Sequence, residues 1–148
     1  MSSLDDLYRE IILDHYRTPR NRGELEPPAV RVEGFNPLCG DEITVYLSVT
    51  DGVVTDIKLT GQGCSISQAS SSLMSAAVKG KSVDDARVVI ATFKDLMMGP
   101  SDAEHSPAEL RKMGELVALA GVVKFPVRIK CATLAWNTLT QALDETSS

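Results

Sequence analysis

Two alternating apolar runs constrain the fold of this chain more than any other feature. Ile43, Val45, Leu47 and Val49 alternate with polar residues, as do Val53, Thr55, Ile57 and Leu59, and Thr50-Asp51-Gly52 separates the runs. A period of two marks strands with one buried face. Both apolar sets are odd-numbered, and opposed residues of a hairpin share a face. A two-residue Asp51-Gly52 loop would pair odd with even and leave one set in water. The pattern therefore predicts a three-residue loop with Gly52 left-handed, pairing Val49 with Val53, Val45 with Ile57 and Ile43 with Leu59. Continued outward, that register sets Asp41 opposite Gly61 and Cys39 opposite Gly63, with Cys64 next in the chain.

Helical patterns surround this hairpin. Leu4, Leu7, Tyr8, Ile11, Ile12 and His15 recur at helical spacing, and Pro19 ends the run. Strand texture begins at Val30. After the hairpin, helices are expected from about Ser65 to Val78, closing at Gly80. Others are expected from Ser82 to about Met97, from Ser106-Pro107 to about Ala120, and from Pro126 to about Leu143. The result is an α+β fold, a small antiparallel sheet of about three strands packed with five or so helices.

The chain has 148 residues, enough for one domain, 1–148, with a core of its own. A net charge of −5 and only 5% aromatic residues argue against nucleic-acid binding, by phosphate tracking or by base stacking. MSSLDDLYREII is not a secretory leader, and no segment has the apolar length of a membrane span. A cytoplasmic, monomeric protein is expected, and three cysteines in a reducing compartment point to metal or thiol chemistry rather than disulfides.

Those cysteines, Cys39, Cys64 and Cys131, stand in the strings PLCGDEI, GQGCSIS and RIKCATLAW. With Asp41 they form a ligand set for one tetrahedral metal, with zinc the first choice. Asp41 shares the inward parity of the strand, where a carboxylate needs a cation or good hydrogen bonds. Cys64 precedes a helix whose free N–H groups stabilise a thiolate. Gly61 and Gly63 leave room for the chain to wrap closely. Three thiolates and a carboxylate suit either a structural zinc or a site with one detachable ligand. By composition the two stand even.

Other residues carry less. Arg128 and Lys130 flank Cys131 and either solvate the helix or support a thiolate. Arg17, Arg20 and Arg22 form a basic patch that either caps the first helix or docks an acidic partner. His15 and Trp136 fall at packing positions, and His105 lies in a polar loop.

Taken together, LYREIILDHYRTPRNRG, NPLCGDEI, GQGCSISQASSSLM and KFPVRIKCATLAW resemble the U-type iron–sulfur cluster assembly family. That family includes the N-terminal domain of NifU. In its scaffold branch the residue before the third cysteine is typically histidine. Here it is Lys130, which cannot ligate a metal while protonated. The segment between Cys64 and Cys131 is also longer than in that branch, with the extra part around Ala103 to Leu116. Both departures resemble the SufU-type branch.

The resemblance implies an IscU/NifU N-terminal-like fold and a zinc-dependent sulfurtransferase with Cys39, Asp41, Cys64 and Cys131 as zinc ligands. Cys39 would be the catalytic residue, accepting persulfide sulfur from a PLP-dependent cysteine desulfurase of the SufS type. A partner histidine would take its place on zinc. A downstream cluster-assembly scaffold would receive the sulfur. The competing expectation is a non-enzymatic scaffold, with iron or a [2Fe–2S] cluster held by the same four residues.

Overall fold

The computed structural model describes residues 3–37, 40–98, 114–124 and 126–146. Among these, helix α1 (Ser3–Arg17) leads into strands β1 (Val30–Asn36), β2 (Asp41–Thr50) and β3 (Val53–Gln62). Helices α2 (Ser65–Val78) and α3 (Val83–Met98) follow, then a 3-10 helix (Gly114–Lys124) and helix α4 (Pro126–Thr146). The strands form one antiparallel sheet in the order β1-β2-β3. The α+β architecture matches the sequence expectation. No described helix is long and apolar enough to cross a membrane.

The hairpin solves its parity problem differently from the expectation. Thr50 pairs with Val53, leaving a two-residue turn in which Asp51 (φ 53°) and Gly52 (φ 76°) are both left-handed. That is the requirement of a type I′ turn, whose twist suits the strands. Parity is restored by a bulge, since Ser48 faces Asp56 while Val49 faces Val54. Thr55 is the extra residue, exposed, and its hydroxyl donates to the Ser48 carbonyl. Val54, rather than Val53 and Thr55, therefore joins Ile57 and Leu59 in the core. Beyond the bulge Leu47 pairs with Ile57, Val45 with Leu59 and Ile43 with Gly61. The register is thus two residues from the predicted one, so every odd residue of β2 keeps its inward face.

The helix expected over 106–120 is only partly described, because residues 106–113 lie outside the described set. From Gly114 the backbone is 3-10 rather than α. The sequence GELVALAGVVK combines two glycines with three valines, which lowers α propensity.

Helix α2 runs through the middle of the molecule. Its buried residues include Ser67, Ser70, Ser71, Ser72 and Ser75 beside Leu73, Met74 and Val78. Small side chains permit close approach, and their hydroxyls are used. Ser70 donates to the Ala132 carbonyl at 2.5 Å, and Ser71 and Ser75 donate to carbonyls three residues back. His15 lies buried against them, with Nδ1 2.7 Å from Ser72 Oγ and Nε2 3.3 Å from Glu115 Oε1. It is a satisfied packing residue. Among the described residues no buried polar side-chain atom lacks a partner.

Helix α4 lies across β1 and β2, and Gly34 allows it. A Cβ at that position would meet Thr138 Oγ1, Leu134 Cδ1 and Ile43 Cγ2. Gly34→Ala is therefore expected to lower stability by about 1–3 kcal/mol through overpacking. Denaturant titration reads this directly. An unchanged midpoint would mean that α4 moves aside without loss.

Candidate metal centre

The end of the sheet remote from the turn gathers the candidate donors. Asp41 opens β2 with its side chain wholly buried. Its neighbour across β1 is Asn36, and Gly63 lies against its other side. A Cβ on Gly63 would run into the Asp41 carboxylate, so glycine is what lets the chain pass this close. Asp41 Oδ1 accepts the Cys64 backbone N–H at 2.9 Å. The carboxylate thus anchors the loop that delivers Cys64.

Cys64 is the N-cap of α2, extended at φ −69° and ψ 166°. Its sulfur accepts the Ser67 N–H at 3.4 Å, so one free donor of the helix start already faces it. Cys131 comes from the second turn of α4 and is wholly buried. Its thiol donates to the Val127 carbonyl one turn back, at 3.8 Å.

One ligand atom from each of Asp41, Cys64 and Cys131 lies within 4.8 Å of the others. Four-coordinate zinc, with Zn–S near 2.3 Å and Zn–O near 2.0–2.2 Å, sets its donors about 3.5–3.8 Å apart. The three side chains need to close by about 1 Å at most, and two sulfurs with a carboxylate are a zinc-compatible donor set. Cys39, the fourth predicted donor, lies outside the described residues.

Arg128 and Lys130 part company. Both are exposed. The Arg128 guanidinium is held above its ordinary pKa, chiefly by the charge of Cys64 and next by a hydrogen bond to the Cys131 sulfur. Its positive charge therefore interacts with both cysteines. Lys130 precedes Cys131 on the helix, about 100° around its axis from the buried sulfur.

The predicted arginine patch spends two of its side chains internally. Arg20 pairs with Asp14 at 2.6 Å and donates to the Thr18 carbonyl, and that contact holds the Asp14 carboxyl below its usual pKa. Arg22 donates to the Gly61 carbonyl at 3.1 Å and to Gln68 Oε1 at 3.5 Å, bracing the stretch that leads to Cys64. Arg17 is exposed at the end of α1.

The sequence reading missed Asn36. Its buried side-chain amide donates to Asp41 Oδ2 at 3.5 Å and lies 3.9 Å from Cys131 Sγ. A signal was present. Val32, Gly34 and Asn36 share the inward parity of β1, and a polar residue at the end of an inward set needs a partner.

The NifU-like N-terminal domain family matches residues 7–132. The zinc-dependent sulfurtransferase SufU of Bacillus subtilis (strain 168) is 44% identical over 138 residues, covering 93% of this chain and 90% of that one. The iron–sulfur cluster assembly scaffold protein IscU of Streptococcus pyogenes serotype M1 is 40% identical over 148 residues, covering 100% and 89%. Among solved structures, FiSufU from the thermophile Fervidobacterium islandicum AW-1, described as a cluster assembly scaffold for the SUF system, superposes with a TM-score of 0.81. It is 33% identical, covering 90% of this chain and 94% of that one. The chain belongs to the NifU-like N-terminal domain family, the U-type iron–sulfur cluster assembly proteins, and is of the SufU type.

Proposed function

We propose that this chain, folded as one domain, is a zinc-dependent sulfurtransferase that takes persulfide sulfur from a cysteine desulfurase for iron–sulfur cluster assembly. The observation that carries the reading is the convergence of Asp41, Cys64 and Cys131, with their ligand atoms within 4.8 Å of one another. Cys39 is two residues from Asp41, so chain length alone keeps its Cα within about 7 Å of the Asp41 Cα. The 44% identity to a protein named a zinc-dependent sulfurtransferase supports the same reading.

Cys39, Asp41, Cys64 and Cys131 would hold the zinc, which supplies positive charge that keeps thiols deprotonated and has no redox chemistry of its own. The thiolate of Cys39 attacks the terminal sulfur of a persulfide on the desulfurase. The new bond joins Cys39 to that sulfur, the old sulfur–sulfur bond breaks, and the donor cysteine leaves as a thiolate. Sulfur moves without net gain or loss of electrons. Asp41 and the N-cap Cys64 hold the surrounding loop in place. Arg128, whose charge interacts with Cys64 and Cys131, offsets the negative charge of the sulfurs. Arg17 and Lys130 are both exposed and so accessible to the partner. The pyridoxal phosphate chemistry belongs to the SufS-type desulfurase, and a downstream scaffold receives the sulfur.

The identity to proteins named IscU scaffolds favours a second reading, in which the same residues hold a [2Fe–2S] cluster as cargo. Metal content separates the two. Protein purified without reconstitution should be colourless and carry one zinc per chain. A brown protein with acid-labile sulfide would favour the scaffold. After incubation with desulfurase and cysteine, mass spectrometry should find one extra sulfur on the Cys39 peptide. Undiminished sulfur transfer by Cys39→Ala would remove Cys39 from the acceptor role.

A further inference from the structure

We propose that Asn36 is a positioning residue of the metal centre, its side-chain amide holding the Asp41 carboxylate and the Cys131 sulfur together. Asn36 closes β1, is only 7% exposed, and is the cross-strand partner of Asp41. Its Nδ2 donates to Asp41 Oδ2 at 3.5 Å and to Cys131 Sγ at 3.9 Å. A single planar amide serving two acceptors makes each contact long, but it ties together the start of β2 and the second turn of α4. Asn36 and Cys131 are 95 residues apart in sequence, so the contact is a tertiary one.

The chemistry selects this orientation of the amide. A carboxylate oxygen and a thiolate are both acceptors, so an amide beside the pair presents its NH₂ group, which has two donors, rather than its oxygen. The amide is neutral, so it adds no charge to a donor set that is already strongly negative. A hydrogen bond to a ligating carboxylate limits its rotation, and one to a ligating thiolate draws electron density from sulfur. Asn36 touches no substrate and acts through the two ligands.

This inference rests on the metal-centre reading and deepens it. The test is zinc affinity by chelator competition, together with the visible spectrum of the Co²⁺-substituted full-length chain. Wild-type protein that takes up neither metal would sink the metal centre itself, and this inference with it. Given wild-type binding, Asn36→Leu keeps the side-chain size and lacks the donor. It is expected to bind zinc about 10- to 100-fold more weakly. Its sulfur-to-cobalt charge-transfer band should move to lower energy, because a sulfur without its N–H partner gives up electron density more readily. Thermal unfolding of the metal-free variant checks the fold, and Asn36→Ala takes over the measurement should the leucine variant not fold. Zinc affinity within twofold of wild type and an unshifted cobalt band would overturn the positioning role.

Discussion

Alanine in place of Trp136 is expected to lower the stability of the chain by about 3–5 kcal/mol, the range for emptying a large buried aromatic site. Trp136 is fully buried on α4. Its ring stacks on Phe93 of α3 with centroids 4.1 Å apart and planes 11° from parallel. Its Nε1–H donates to Ser70 Oγ at 2.9 Å, and Ser70 in turn donates to the Ala132 carbonyl. One side chain therefore joins α2, α3 and α4. Truncation removes the stack, opens a cavity and takes away one partner of a buried hydroxyl. None of the candidate donors is touched. Chemical denaturation of the metal-free protein measures the loss, and a change below about 1 kcal/mol would show that these helices pack independently of the ring.

Cys131→Ser should do the reverse, removing the metal and sparing the fold. A serine hydroxyl at this buried position can still donate to the Val127 carbonyl, as the thiol does. The metal-free variant is expected to stay within about 1–2 kcal/mol of wild type. Loss of a soft thiolate donor should weaken zinc binding by more than the roughly 100-fold upper range of indirect contacts. Linkage makes the difference visible. Added zinc raises the unfolding temperature of a protein that binds it only when folded, by an amount that grows with concentration over Kd. Wild type should show that rise and Cys131→Ser should not. Equal rises in both proteins would dismiss Cys131 as a ligand. Together the two variants separate the core from the centre it supports.

Much of this arrangement was legible from residues alone. Period-two alternation marks β2 and β3, and the capping and breaking residues around Ser65–Val78 and Ser82–Met97 mark α2 and α3. These signals are local, carried by neighbours within a few residues. Parity placed Asp41 on the inward face, and that placement survived a register two residues off, because a shift of two preserves every face. The turn itself was misread. The choice between a longer loop and a bulge depends on whether Asp51 accepts a left-handed backbone, and alternation does not encode it.

By itself, then, the sequence determined the three strands and helices α1 to α4, the inward face of β2, and which donor types are present. Only the tertiary structure decided that Cys131 meets Asp41 and Cys64. That meeting depends on α4 lying down on β1, which Gly34 permits by lacking a side chain where Thr138 and Leu134 pass. It also decided that Asn36 contacts two of the donors and that Arg128 interacts electrostatically with Cys64 and Cys131. The physical reason is range. Backbone preference and periodicity act over a few residues, whereas these contacts join positions up to 95 apart, and only close packing brings them within reach.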